Sequence, residues 1–213
     1  MEILILTIRR NIDRLNFLVD RLKSLNLDYT IIEGIDGSSI SDVDIQNINS
    51  DFYFEKYGIR MSKHEICCAL GHRKVYQYMI DKSINKALIL EDDAYPLSTL
   101  PDLLNKINKI NDYDLLYLFH GKAKKSIFYK KLPHNYRLYK YLTPSQNSRR
   151  AIIYAVAYIL SLNGARKLLE VGEKIMVPAD FLTGLIQLHN LKTSGVEPCC
   201  FDHGAFKSSI IDR

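Results

Sequence analysis

The first 33 residues constrain the fold more than any other stretch of this chain. Glu2–Thr7 is a short run rich in isoleucine and leucine, which reads as a buried strand. Asn11 can cap a helix running to about Ser24, with Ile12, Leu15, Leu18, Val19 and Leu22 on one face. Tyr29–Glu33 reads as a second strand, closed by the turn Gly34-Ile35-Asp36-Gly37. Strand, helix and strand at this spacing form a βαβ unit, which implies parallel pairing and a right-handed crossover.

The alternation continues. Ser62 caps a long predicted helix to about Ser83, Ala87–Leu90 is a third strand, and Pro101 begins a short helix before a strand at Leu115–Phe119. Residues 121–150 have no long period and read as loops with short strands. Ala151–Leu160 is apolar and β-branched, Ser161–Val171 helical, Asp180 to Asn190 a last helix, and Lys192–Val196 a strand. This order predicts an α/β fold, with an open, mainly parallel twisted sheet flanked by helices. The 213 residues suit one domain, 1–213, with a basic, tyrosine-rich insertion at about 120–150. No apolar run approaches the roughly 20 residues needed to span a bilayer. At Met1–Arg10 an apolar run precedes the arginines, the reverse of a secretory signal, so a cytoplasmic protein is expected.

The third strand ends in acid: Ala87-Leu88-Ile89-Leu90-Glu91-Asp92-Asp93-Ala94. Adjacent carboxylates beside apolar residues repel each other unless a cation neutralises them, and hard divalent ions take oxygen ligands. In open α/β sheets ligands bind beyond the carboxyl ends of strands, where Thr7–Arg10 and Glu33–Gly37 also lie. Glu91 and Asp93 are therefore candidate ligands for Mn²⁺ or Mg²⁺, with Asp92 turned elsewhere; a solvated strand corner is the plain alternative. Such acid motifs also serve nucleases and phosphatases, so the spacing alone names no reaction.

Charge is unevenly spread. Residues 121–150 carry nine Lys or Arg and no acid, while the rest of the chain has 20 basic and 24 acidic residues. A local basic surface points to an anionic partner: a phosphorylated sugar, an anionic membrane surface or a nucleic acid. Cys67-Cys68 and Cys199-Cys200 lack the spacing of a zinc site and read as small core thiols.

Three stretches resemble glycosyltransferase family 25, the lipooligosaccharide and collagen-type sugar transferases. They are Gly34-Ile35-Asp36-Gly37, the segment Ser62-Lys63-His64-Glu65-Ile66-Cys67-Cys68-Ala69-Leu70-Gly71-His72, and the acid strand itself. Weaker echoes follow in order at Ala157–Ala165, Pro178-Ala179-Asp180 and Ser208-Ser209-Ile210. The first strand departs from the family pattern at Leu6-Thr7-Ile8-Arg9-Arg10, and Gly71 stands where a serine is common. The resemblance implies a GT-A type fold, a UDP-sugar donor, a divalent metal on the acid motif and transfer with inversion, most readily of galactose from UDP-galactose to a lipooligosaccharide core or other glycan acceptor.

It also implies residue roles. Asp180 matches the position of the base, although an aspartate there also suits a helix N-cap. Thr7, Arg9, Asp36, Gly37, His72, Asp92, Ser208 and Ser209 fall to the donor, and His203 joins Glu91 and Asp93 as a candidate metal ligand; a structural role for His72 and a simple turn for Asp36-Gly37 stay open. Tyr129, Tyr136, Arg149 and Arg150 are candidates for the acceptor, with peripheral contact to an anionic inner-membrane face and no nucleic acid as partner. Two other readings remain: a metal-dependent phosphoryl-transfer enzyme or nuclease with a basic binding loop, and a carbohydrate-binding relative without turnover.

Overall fold

The computed structural model describes residues 1–203 apart from 39, 42–44, 46, 47 and 49. The elements follow the expected alternation: β1 (Glu2–Thr7), α1 (Ile12–Ser24), β2 (Thr30–Glu33), α2 (Asp51–Tyr57), α3 (Lys63–Asp81), β3 (Lys86–Glu91), β4 (Ala94–Pro96) and α4 (Leu100–Ile107). Then come β5 (Leu115–Tyr117), β6 (Lys125–Lys131), β7 (Arg137–Tyr141), β8 (Ala157–Ser161), α5 (Leu162–Lys174), α6 (Ala179–Gly184), α7 (Ile186–His189), β9 (Thr193–Glu197) and β10 (Phe201–His203).

An eight-stranded sheet has the order β2-β1-β3-β8-β5-β9-β7-β6, and β4 pairs separately with β10. β1 lies parallel to both β2 and β3, and β5 lies parallel to β9, whereas β8 and β7 run against their neighbours. The α/β class is as expected, and the sheet is mixed.

Both faces of the sheet are covered, which explains the unbroken apolar runs of its central strands. Leu4 and Leu6 of β1 and Ala87 and Ile89 of β3 enter one core with Ile66, Tyr76 and Met79 of α3 and Leu168 of α5. The alternate residues Ile3, Ile5, Leu88 and Leu90 enter a second core with Leu18 and Leu22 of α1 and Leu103 of α4. Each such burial stabilises by about 1.5–3 kcal/mol. α3 starts with a capping box: Glu65 N–H donates to Ser62 Oγ at 3.3 Å and Ser62 N–H donates to Glu65 Oε2 at 2.8 Å.

Three boundaries differ from the sequence reading. The apolar, β-branched stretch 151–160 is strand only from Ala157, because Ile152 N–H bonds Gly184 O, Ile153 O accepts from Gly121 N–H, and Tyr154 has φ 76°. The helix expected over 180–190 is divided at Leu185, whose ψ of 68° is not helical. The segment over 121–150 folds largely into the β6–β7 hairpin at the sheet edge.

Candidate active site

β1 and β3 are neighbours in parallel register, with Leu6 opposite Glu91, so Thr7 and the acids emerge at the same edge of the sheet. β2 ends beside them, Thr7 facing Glu33. The three strand ends and the N-terminal parts of α1 and α3 form an open cleft with a cavity volume of about 130 Å³, whose lining includes Thr7, Asn11, Arg14, Gly37, His64, Cys68, Glu91, Asp92 and Asp93. Gly71 of α3 is in close approach to β1: a Cβ there would lie 3.2 Å from Leu6 Cδ1.

Each acid has its own surroundings. Asp92 Oδ2 accepts from Thr7 Oγ1 at 2.7 Å and from Asn11 Nδ2 at 3.0 Å, while Oδ1 lies 3.0 Å from Arg14 Nε. Burial raises the Asp92 carboxyl above its ordinary value, opposed by Arg14 and these hydrogen bonds. Asp93 Oδ2 is 2.6 Å from Arg14 Nη2, but Oδ1 is buried with no hydrogen-bond partner. Burial first, and then the Glu91 charge, pushes Asp93 up to about 6. Arg14, on α1, thus spans two of the three acids. One guanidinium for three carboxylates leaves the cluster short of positive charge.

Glu91 is held from the α3 side. His72 Nε2 lies 3.0 Å from Glu91 Oε1, and His72 Nδ1 lies 2.7 Å from the Tyr158 hydroxyl, itself 2.9 Å from that of Tyr76. A carboxylate can only accept, so in the singly protonated ring Nε2–H donates to Glu91 and Nδ1 accepts from Tyr158. Cys68 Sγ is 3.9 Å from the same Glu91 oxygen. Its thiol is raised well above the ordinary value by burial and then by the charges of Glu91, Asp180, Asp93 and Asp92, in that order. Asp180, in the first turn of α6, therefore acts on the same thiol as the acid cluster, and its Oδ2 accepts from Tyr154 N–H at 3.5 Å.

Among the described residues, one group of three potential ligand side chains converges: Cys68, His72 and Glu91, with ligand atoms within 4.8 Å of one another. Both His72 ring nitrogens face hydrogen-bond partners, so this group reads as a mount for Glu91. The acids themselves form no closed cage. The buried, unpartnered Asp93 Oδ1 and the surplus negative charge nevertheless fit a hard divalent ion that completes its shell with water or substrate oxygens.

The remaining candidates are distributed as follows. Asp36 caps its own turn, its Oδ1 accepting from Ser38 N–H at 2.9 Å and Ser38 Oγ at 2.8 Å; the backbone hydrogen bond is the chief cause of its lowered carboxyl. Gly37 sits against the His64 ring, 3.3 Å from where a Cβ would be. Arg9 is on the surface, paired with Glu33 at 2.7 Å, and does not line the cleft; Arg10 and Arg14 do. β10 sets the His203 backbone opposite Ala94, next to the acid turn. Ser208 and Ser209 lie outside the described residues.

The expected tyrosine surface on the basic segment is corrected. Tyr136, Tyr139 and Tyr141 are core residues, with the Tyr136 hydroxyl 3.1 Å from Thr99 Oγ1; Tyr129 alone of the four is exposed. β6 stands five strand spacings from β3, or roughly 24 Å. Arg149 and Arg150 are exposed; the Arg149 carbonyl accepts from the Tyr57 hydroxyl and that of Arg150 from Gln187 of α7. Arg10, Asn11, Arg14, His64 and Cys68 are among the cleft residues that sequence reading misses as site residues, and Asn11, expected as a helix cap, spends its side chain on Asp92 instead. Arg14 falls one helical turn after Asn11 and can be found from that spacing; Cys68 is hidden among apolar neighbours.

Taken together, the molecule is an α/β protein with an acid-lined cleft at the carboxyl ends of adjacent parallel strands, the place and chemistry for a phosphate-bearing ligand with a cation. Residues 1–183 match glycosyltransferase family 25 (LPS biosynthesis protein), and the chain belongs to that family. Similar curated proteins include procollagen galactosyltransferase 2 of Homo sapiens, 25% identical over 203 residues, covering 88% of this chain and 30% of that protein. Another is the probable inactive glycosyltransferase 25 family member 3 of Bos taurus, 24% identical, covering 88% of this chain and 32% of that one. The chain thus spans about a third of the length of these relatives. Among solved structures, the galactosyltransferase LgtC in complex with donor and acceptor sugar analogues is similar at 11% identity and a TM-score of 0.49, covering 92% of this chain and 73% of that one.

Proposed function

We propose that this chain is an inverting, metal-dependent glycosyltransferase, one GT-A type domain that moves galactose from UDP-galactose onto a lipooligosaccharide core or related glycan. The observation that carries this reading is Asp93, whose Oδ1 is buried and unpartnered in the acid cleft of a family 25 chain. Asp93, with Glu91 and the neighbouring His203, would hold Mn²⁺ or Mg²⁺, and the metal would offset charge on the departing diphosphate.

The chain's own residues supply the rest. Arg14 and Arg10 bring cationic groups to the cleft where diphosphate oxygens would lie. Thr7, Asn11 and Arg14 fix Asp92, which keeps the acid turn in place. The chain of Tyr76, Tyr158 and His72 orients Glu91. Gly34, Ile35, Gly37 and His64 form the cleft wall that a nucleoside would meet. Asp180 accepts the proton of the acceptor hydroxyl from the side opposite the leaving group, and Arg149 and Arg150 meet an anionic acceptor.

The phosphoryl-transfer alternative has no observation in its favour. Lys125 pairs with Glu197, and Lys130 and Lys140 with Asp112, so the basic segment is partly neutralised by acids from elsewhere in the fold. No helix among the described residues is long and apolar enough to cross a membrane; we place the enzyme at an anionic cytoplasmic membrane face, where a glycolipid acceptor is presented. UDP release from UDP-galactose with Mn²⁺, measured with and without acceptor glycolipid, tests the function. Binding of UDP-sugar without release under any acceptor would leave a carbohydrate-binding relative, and absence of both would overturn the assignment.

A further inference from the structure

The β6–β7 hairpin carries an apolar bulge that the proposed sugar transfer does not use. Lys125 of β6 faces Tyr141 of β7, and Tyr129 faces Tyr139, so β6 advances four residues while β7 advances two. The two surplus residues bulge out of the ladder. Phe128 N–H donates to Ser126 Oγ at 3.0 Å and fixes the bulge from within. Ile127 and Phe128 are consequently pushed into solvent, 85% and 78% exposed, while Leu138 of β7, opposite Lys130, is buried. They are the two most exposed large hydrophobic side chains among the described residues.

The surroundings of this bulge are cationic. The hairpin strands carry Lys125, Lys130, Lys131, Arg137 and Lys140 and no acid, and only Asp112 and Glu197 from outside pair with them among the described residues. Lys124 precedes the hairpin and is exposed. Arg137 stacks over Tyr129 at 4.8 Å, so its charge stays at the hairpin surface. Two large apolar side chains among cations match the boundary between anionic headgroups and acyl chains, where the lysine stems lie along the apolar layer and their charges reach the lipid phosphates. A second copy of the chain is a poorer occupant. The bulge interrupts the edge that another strand would have to pair with, and like-charged lysines would face each other.

We propose that the Ile127–Phe128 bulge inserts into the interfacial layer of an anionic bilayer, with the hairpin cations at headgroup level. This rests on the membrane contact suggested above and gives it a structural element, and its test needs neither donor nor acceptor. The chain contains no tryptophan, so the full chain carrying Phe128→Trp reports on the bulge alone. With phosphatidylcholine vesicles containing phosphatidylglycerol, its emission should shift to the blue and be quenched by lipids brominated on the acyl chain. Phosphatidylcholine vesicles alone should give little shift, and added salt should weaken the binding. Ile127→Ser/Phe128→Ser should sediment with the anionic vesicles at least about tenfold more weakly than the parent chain while melting at the same temperature. The proposal is overturned by indole emission from the Phe128→Trp chain that stays unquenched, by equal binding of the double serine variant, or by a parent dimer that the double variant turns into monomer.

Discussion

Replacing Asp93 by asparagine should make the metal-free protein more stable and abolish its response to metal. The Asp93 carboxyl rises from an ordinary 3.8 to about 6, because it is buried and faces Glu91. A rise of that size corresponds to about 3 kcal/mol of preference for the neutral form. That cost is already net of the attraction to Arg14 at 2.6 Å, so asparagine, which removes it, should gain up to about 3 kcal/mol, or roughly 6–12 °C in Tm for a chain of this size. The folded state binds the Asp93 proton more tightly than the unfolded state. Its contribution to stability is therefore full below about pH 4, falls as pH rises towards 6, and stays low above that. The advantage of Asp93→Asn should be absent near pH 4 and complete above pH 6. Urea denaturation with EDTA across this range measures it, and a parallel titration with Mn²⁺ should raise the Tm of the parent chain only. An Asp93→Asn protein that is less stable than its parent at pH 8, or that still responds to Mn²⁺, would refute the reasoning.

Four further outcomes follow from particular contacts. Asp180→Asn should leave melting and UDP-sugar binding intact while lowering the transfer rate by about 10²–10⁴, read in single-turnover assays. Ser62→Ala should cost about 1 kcal/mol in denaturant unfolding, because it opens the capping box of α3. Tyr158→Phe removes the hydroxyl between His72 and Tyr76 and should cost about 1–3 kcal/mol by the same measurement. Gly184→Ala drives a Cβ into the Ile152 carbonyl oxygen, a backbone group that cannot step aside, so a loss of at least about 2 kcal/mol is expected from thermal melting.

How much of the protein is legible depends on whether the signal is local. β1 and α1 are readable because both-face burial gives a continuous apolar run and one-face burial gives a helical stripe. Ser62 and Glu65 announce the start of α3 by a spacing that two backbone hydrogen bonds require. Residues 151–156 are as apolar as the strand that follows them and are not strand: hydrogen bonds of Ile152 and Ile153 go to Gly184 and Gly121, partners that no local pattern can reveal. The tyrosines of β7 suggest a sugar-binding surface until the sheet buries them.

The sequence by itself determined the βαβ start, the acid-ended strand, the capped helix before it and the family resemblance, since each is written within a few consecutive residues. The tertiary structure alone decided which side chains meet. It brought Arg14 to Asp92 and Asp93, His72 and Cys68 to Glu91, and Asp180 together with the three acids into the field of the Cys68 thiol. It also decided that Asp93 keeps one buried oxygen without a partner and that a two-residue register shift turns Ile127 and Phe128 outward. The reason is physical. Propensity and periodicity act between neighbours along the chain, whereas charge pairing, desolvation and strand register depend on distances that exist only once the sheet has formed.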